Sequence, residues 1–192
     1  MPQPTYMVPR VRSRIYLQDK NAAQDLSAAV AAALRRLWRA RYNDLLILCI
    51  GTDRSTGDCL GPLVGSLLMD QAPRLPVRGT LAEPIHATNL PDMMRKLGFA
   101  PNQFIIAIDA CLGKLDNVGS ISVNDGPLLP GAGVSKQLPP VGQMHITGTV
   151  NVGGFMEYLV LQNTRLSLVM EMAQLITTGI LNGCRGFLPA LK

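Results

Sequence analysis

The sequence predicts an α/β protein, a three-layer α/β/α sandwich built on a mostly parallel sheet. The first observation is that apolar runs alternate with stretches of helical periodicity along most of the chain, which is typical of a parallel sheet covered by helices. The second is that residues 45–50 and 104–108 are apolar at every position, as expected of strands buried on both faces. The chain of 192 residues fits one domain.

Periodicity and turn residues predict the elements in chain order. Residues 1–20 show no sustained period and are predicted to form a basic N-terminal arm, which leaves residues 21–192 as a single α/β/α domain. Strands are predicted at 45–50, 77–85, 104–108, 119–123 and 143–149. Helices are predicted at 21–41, 57–69, 90–97, 151–162 and 165–181.

Composition and charge limit the class of protein. Hydrophobic residues make up 47% of the chain and charged residues 16%, which describes a compact globule rather than a disordered chain. The net charge of +5 is concentrated in residues 1–41. Because those basic residues are not interleaved with stacking aromatics, they are interpreted as a solvated tail and helix face, and no nucleic-acid partner is expected. No signal peptide and no membrane-spanning run is recognised, so a cytoplasmic protein without a membrane partner is expected.

Four cysteines show no metal-binding spacing. They are Cys49, Cys59, Cys111 and Cys184. The absence of a C-x-x-C pair argues against a zinc site, and reduced thiols are expected. Two of them lie close after Asp58 and Asp109, but a cysteine nucleophile needs a neighbouring base and a lowered pKa. They are therefore interpreted as buried small residues.

Two aspartates follow the buried runs. Asp58 comes after the strand 45–50 through a loop punctuated by glycines, where the next helix is predicted to start, and Asp109 is predicted to be the last residue of its strand. Open parallel sheets build their sites at the carboxyl ends of strands, so both carboxylates are expected in one crevice. Such a pair can share a proton, activate water or hold a metal ion. The alternative is that Asp58 caps a helix and Asp109 caps a turn.

Other polar residues at the same predicted edge are further candidates. Asp53 would support the aspartate pair or close its turn, and His86 would be a third ligand if that pair bound a divalent metal. Asn151 follows a strand in a glycine-containing segment, where it would cap a helix or contact substrate. His145 is predicted to pack inside a strand. The loop 51–61 lacks both common phosphate-binding patterns, so nucleotide binding is not predicted.

Three segments resemble the bacterial spore germination protease. Residues 57–62, GDCLGP, resemble its D-x-L-G-P segment, residues 104–110 resemble its second aspartate strand, and residues 130–134, PGAGV, match one of its loops. They occur in the same order with similar spacing. Residues 151–166 are more similar still to a narrower family, the short sporulation proteins called YyaC. The wider fold is similar to that of the hydrogenase-maturation endopeptidases.

The resemblance implies a phosphorylase/hydrolase-like α/β/α fold and an aspartate-dependent endopeptidase, with Asp58 and Asp109 at the catalytic positions. It implies no cofactor through the germination protease, whereas the hydrogenase-maturation relatives imply a divalent metal held by these two acids and His86. The candidate substrate-binding residues are Asp53, Gly131, Gly133 and Asn151.

Three functions are carried forward as hypotheses. The first is an endopeptidase in the cytoplasm of the sporulating cell or forespore, acting on a protein substrate such as a small acid-soluble spore protein. The second is a non-catalytic sporulation protein of the same fold that binds a partner protein, because the chain lacks the extra segments of the germination protease. The third is a metal-dependent peptidase of the maturation type.

Overall fold

The computed structural model describes residues 11–98, 100–130 and 138–187. The strands are β1 (Val11–Tyr16), β2 (Asp44–Cys49), β3 (Val77–Arg78), β4 (Gln103–Gly113), β5 (Ser120–Asp125) and β6 (Met144–Val152). The helices are α1 (Ala22–Leu37), α2 (Leu60–Gln71), α3 (Leu90–Leu97), α4 (Glu157–Gln162) and α5 (Leu166–Gly183), with a short 3₁₀ helix at Leu115–Asn117. None of the helices in these ranges is long and apolar enough to cross a membrane.

The strands form one six-stranded sheet in the order β1-β5-β6-β4-β2-β3. β3, β2, β4 and β6 run parallel to one another. β5 is antiparallel to both of its neighbours, β6 and β1. The mostly parallel sheet of an α/β fold is therefore confirmed, with antiparallel pairing confined to one side of the sheet.

Helices cover both faces of the sheet. α1, α2 and α5 pack on what we call the first face, and α3 packs on the second face together with the segments around Leu128 and Val141. Alternate residues of β2 point to opposite faces. Those in the first-face core are Leu45, Ile47 and Cys49, and those in the second-face core are Leu46, Leu48 and Ile50. A strand buried on both sides must be apolar throughout, which explains the unbroken run at 45–50.

The N-terminal segment differs from its prediction. The sequence predicts an arm over residues 1–20, but residues 11–16 form β1 at the edge of the sheet. Ile15 is buried in the first-face core, and β1 pairs with β5 more than a hundred residues later in the chain. The pairing partner is remote in sequence, so local periodicity alone gave no strong signal for this strand.

Two further elements are shorter or longer than predicted. The strand predicted at 77–85 is reduced to β3, with an isolated bridge between Ile85 and Ile50 beyond it. The helix predicted at 151–162 begins only at Glu157, because β6 continues to Val152. The last residues of β6 pair with Leu112 and Gly113 of β4, and this pairing holds them in strand rather than helix.

Candidate active site

Asp109 lies where β4 extends beyond the end of β2, one of its two neighbouring strands. The sequence predicts it as the last residue of its strand, which is wrong, because β4 continues to Gly113. The pairing of β2 with β4 ends at Cys49 and Ile108, whereas β6 stays paired beyond this point, with Thr147 opposite Asp109. Asp109 is thus the first residue of β4 past the end of β2, and it remains at the carboxyl end of the β2–β4 pair.

The loop that carries Asp58 folds back onto the end of β2. Gly51 has a φ of +141°, and a Cβ at this position would lie 2.0 Å from the carbonyl oxygen of Asp58. The Thr52 N–H donates a hydrogen bond to the same oxygen at 3.2 Å. Only glycine combines this backbone conformation with so close an approach, so Gly51 fixes the position of Asp58.

The other side of the loop is held by α4. The Gly57 N–H donates to the carbonyl oxygen of Leu161 at 2.8 Å. A Cβ on Gly57 would lie 2.8 Å from Leu161 Cδ2 and 2.9 Å from Thr164 Oγ1. The residue before Asp58 is therefore in close contact with the end of α4, and the loop is fixed from two sides.

The helix-cap alternative for Asp58 does not match the geometry. α2 begins at Leu60, its N-cap residue is Cys59, and no side-chain hydrogen bond caps it. The Cys59 thiol instead donates to the carbonyl oxygen of Thr56 at 2.9 Å. Asp109 does make a local bond, because its Oδ1 accepts from the Ala110 N–H at 2.8 Å. That bond uses one carboxyl oxygen.

Burial raises the pKa of both carboxyl groups, and the charge of Asp58 acts on Asp109. Burial raises the pKa of Asp58, while a hydrogen bond from the Thr52 backbone and the charge of His86 lower it. Burial also raises the pKa of Asp109, well above its usual range; the charge of Asp58 raises it further, and the Ala110 N–H lowers it. Asp58 therefore lies within electrostatic reach of Asp109, and the two predicted aspartates belong to the same part of the structure.

His86 lies near enough to Asp58 to act on it electrostatically. Its Nδ1 accepts a hydrogen bond from the Thr88 N–H at 3.3 Å, and its charge reaches Asp58. In residues 11–98, 100–130 and 138–187, no group of three or more His, Cys, Asp or Glu side chains is arranged to hold a metal ion. Asp58, Asp109 and His86 do not form such a group among these residues, and the divalent metal that the hydrogenase-maturation resemblance implies stays a prediction.

The structure describes two of the four candidate substrate-binding residues, Asp53 and Asn151. Asp53 is exposed, and its carboxylate accepts a hydrogen bond from the Thr52 hydroxyl at 3.4 Å. Gly131 and Gly133 lie outside the described residues. The predicted site residues that the structure brings together are thus the two aspartates, with His86 beside Asp58.

Asn151 has a different role from the predicted helix cap. It lies within β6, not at a helix start. Its Nδ2 donates to Thr164 Oγ1 at 3.2 Å and to the Val160 carbonyl oxygen at 3.4 Å. Asn151 therefore joins the end of β6 to α4, the helix that also contacts Gly57.

The remaining titratable groups near the site are packed. Burial raises the pKa of all four thiols, that of Cys184 to about 12, which disfavours a thiolate nucleophile. His145 is buried, and this burial lowers its pKa. Its Nδ1 lies 3.0 Å from the carbonyl oxygen of Gly126, so it packs inside a strand as predicted.

Sequence reasoning missed a set of polar residues on the second face. Arg14, Ser122, Thr147 and Thr149 belong to this set. The alternation of Arg12, Arg14 and Tyr16 with Val11, Ser13 and Ile15 was the available signal for β1, because such a period of two is typical of strands.

The fold defines an α/β/α protein that carries two partly buried aspartates at the carboxyl end of a largely parallel sheet. The chain belongs to the family described as "Protein of unknown function (DUF1256)", whose model matches residues 14–179. It is 50% identical over 173 residues to the uncharacterized protein YyaC of Bacillus subtilis, with 89% of this chain and 83% of that protein covered. The predicted relationship to YyaC is confirmed.

A solved structure is also similar. It is the crystal structure of a NiFe hydrogenase maturation protease, HycI, from Thermococcus kodakarensis. The TM-score is 0.48 and the sequence identity is 16%, with 75% of this chain and 93% of that chain covered.

Proposed function

We propose that this protein is an endopeptidase in which Asp58 and Asp109 act as an acid/base pair. The observation that carries the proposal is their coupling at the end of β2, where the charge of Asp58 adds to burial in raising the pKa of Asp109. Neighbouring carboxyl groups whose surroundings push their pKa values apart provide one acid and one base at the same pH.

The surroundings of the two aspartates support a different role for each. Burial raises the pKa of Asp58, but the Thr52 backbone and the charge of His86 oppose this rise, so Asp58 is proposed as the general base that takes a proton from the attacking water. Burial and the negative charge of Asp58 raise the pKa of Asp109 well above its usual range and favour its protonated form. Asp109 donates its proton to the amide nitrogen as the carbon–nitrogen bond breaks, and the water oxygen bonds to the carbonyl carbon.

The proposed substrate is a spore protein, and small acid-soluble spore proteins are the first candidates. The proposed location is the cytoplasm of the sporulating cell or forespore. Both rest on the resemblance of residues 57–62 and 104–110 to the germination protease and of residues 151–166 to the short sporulation proteins. The proposed chemistry uses the protein's own carboxyl groups and no cofactor.

The test is cleavage of purified small acid-soluble spore proteins by wild-type and Asp58→Asn protein, each with and without a chelator. We expect wild-type cleavage in both conditions and a rate about 10²–10⁴-fold lower in the variant. Asp116→Asn, an exposed acid in the 3₁₀ helix, is the matched control and should cleave normally.

Other outcomes would identify the competing functions. Wild-type activity lost with chelator and restored by a divalent ion would indicate a metal-dependent peptidase. Binding of the spore proteins without cleavage would indicate a non-catalytic partner-binding protein. Equal cleavage by wild type and Asp58→Asn would remove Asp58 from the mechanism.

The pH profile of cleavage should be bell-shaped. Activity requires ionised Asp58, so it should fall as the pH drops through the raised pKa of this base. It also requires protonated Asp109, so it should fall again as the pH rises through the still more strongly raised pKa of this acid. The two apparent pKa values belong to the pair as a unit. A flat kcat/KM between pH 4 and pH 9 would contradict the acid/base assignment.

A further inference from the structure

A row of four residues crosses the second face of the sheet and ends at Asp109. Arg14 of β1 is the register partner of Ser122 of β5, Ser122 is the partner of Thr147 of β6, and Thr147 is the partner of Asp109 of β4. We call this set the polar row. The residues on either side of these positions include Ile15, Ile121, Val123, Ile146 and Ile108, which belong to the first-face core. Because side chains alternate along a strand, all members of the polar row point to the second face.

Part of the polar row is open to solvent. Arg14 is exposed, and both Thr147 and Asp109 are half-buried. Ser122 is buried, and its Oγ lies 3.5 Å from Arg14 Nε, from which it accepts a hydrogen bond. A ligand lying along the row would therefore meet the guanidinium at one end and the aspartate at the other.

Hydrogen bonds to neutral side-chain oxygens hold Arg14 in place. Its Nη1 donates to Asn117 Oδ1 at 2.9 Å, and the same oxygen accepts from the Tyr16 hydroxyl at 3.4 Å. No carboxylate among the described residues forms an ion pair with Arg14. A guanidinium has five N–H donors, so donors remain for an anion after these two contacts.

Cys111, two residues after Asp109 on β4, pairs with Thr149 of β6, and its Sγ lies 3.5 Å from Thr149 Oγ1. Burial raises the pKa of its thiol, and a hydrogen bond with Thr149 lowers it. Among the weaker influences, the charge of Asp109 raises this pKa and the charge of Arg14 lowers it. The influence of Arg14 agrees with the strand register, which places Arg14 and Cys111 on the same face of the sheet.

We propose that Arg14 binds a carboxylate of the substrate and that the polar row is the subsite between that carboxylate and the bond to be cleaved. The inference rests on the proposed peptidase function. Three strand spacings separate Arg14 from Asp109, or roughly 14 Å. An extended chain covers this distance with about four residues. The recognised carboxylate, at an acidic side chain or at the chain terminus, lies about that far from the cleaved bond.

The test measures binding separately from cleavage. Three libraries of random octapeptides without other acidic residues are titrated against full-length Asp58→Asn protein: one with a free terminal carboxylate, one with a terminal amide, and one amidated with a single glutamate. We expect tighter binding of one carboxylate-bearing library than of the plain amide. Preference for the free terminus identifies a chain-end carboxylate, and preference for the glutamate library identifies an acidic side chain.

The arginine is tested in the same background. Arg14→Met should weaken binding of the preferred library about 10-fold or more, as expected for loss of a charge-assisted hydrogen bond. Arg14→Lys keeps the charge but loses the planar guanidinium. Its affinity for the preferred library should lie between those of the protein with Arg14 and of Arg14→Met. Arg78→Met is the matched control, because Arg78 is an exposed arginine on the opposite edge strand, β3. It removes the same charge and should leave binding unchanged.

Each contrary result has a distinct meaning. Equal binding of the three libraries, no binding of any, or unchanged binding by a folded Arg14→Met protein would overturn the inference. If wild-type protein cleaves spore proteins and Arg14→Met does so with the same KM, the peptidase function stands and the subsite fails. If carboxylate binding depends on Arg14 but no protein is cleaved, the subsite stands and the peptidase function fails. Circular dichroism of each variant controls for loss of β1.

Discussion

Asp109→Asn should abolish cleavage and at the same time stabilise the folded protein at neutral pH. Asparagine cannot donate the proton that the leaving nitrogen needs, so we expect a rate lower by about 10²–10⁴-fold. The shape of the residue is kept, and the asparagine carbonyl oxygen still accepts the hydrogen bond from the Ala110 N–H. The loss of activity would therefore be chemical rather than structural.

The gain in stability follows from the direction of the pKa shift. The folded-state pKa of Asp109 is raised above its ordinary value by burial and by Asp58, so the folded protein binds this proton more tightly than the unfolded chain. The free energy of unfolding then falls as the pH rises from the unfolded pKa, about 3.9, through the folded pKa. Asparagine has no charge to bury. Its stabilising effect should be largest above the folded pKa and should disappear below the unfolded one.

Cleavage assays of Asp109→Asn check the expected loss of activity. Urea unfolding at several pH values checks the expected gain in stability. Asp116→Asn is again the control, since this exposed side chain should change neither quantity. Cleavage by Asp109→Asn at the wild-type rate would remove Asp109 from the mechanism. Functional residues often lower the stability of the folded protein. If Asp109→Asn were less stable than wild type at pH 7, Asp109 would not be such a residue.

Gly51→Ala should strongly destabilise the folded protein. The new Cβ would meet the Asp58 carbonyl oxygen at 2.0 Å and Pro62 Cδ at 3.1 Å, in a backbone conformation that alanine rarely adopts. Backbone strain and overpacking together lead us to expect a loss of about 3 kcal/mol, or a Tm lower by roughly 6–12 °C. Because the loop must move to admit the methyl group, Asp58 should also move and cleavage should fall.

Gly154→Ala separates the effect of backbone strain from the effect of the close contact that a Cβ would make at position 51. Gly154 has a similar φ, +133°, but nothing lies within 4 Å of a Cβ built there. We expect this variant to lose only the strain energy, about 1–2 kcal/mol, and to leave the Asp58 loop in place. Thermal unfolding of the two variants side by side makes the comparison. Equal losses would show that backbone conformation, and not the contact with the Asp58 loop, requires glycine at position 51.

The elements that the sequence predicts best are those whose burial is complete. Residues 45–50 and 104–108 carry an unbroken apolar pattern because helices or loops cover both faces of β2 and β4. Asp58 and Asp109 follow these two strands in the sequence, and the strands are neighbours in the sheet. The edge strand β1 and the last residues of β6 were misassigned, since their structure depends on partners far away in sequence.

By itself, the sequence determined the α/β class, the central strands and the family, and it indicated the two aspartates as candidates. Each of these can be recognised from local hydrophobic pattern or from short motifs of adjacent residues. Only the tertiary structure decided that β4 extends beyond β2 at Asp109 and that Gly51 and Gly57 fix the loop carrying Asp58. It also decided that Arg14 lies in one row with Asp109. These features depend on strand register and close backbone contact. Register is set by pairing between distant segments, which no local stretch of the chain can encode alone.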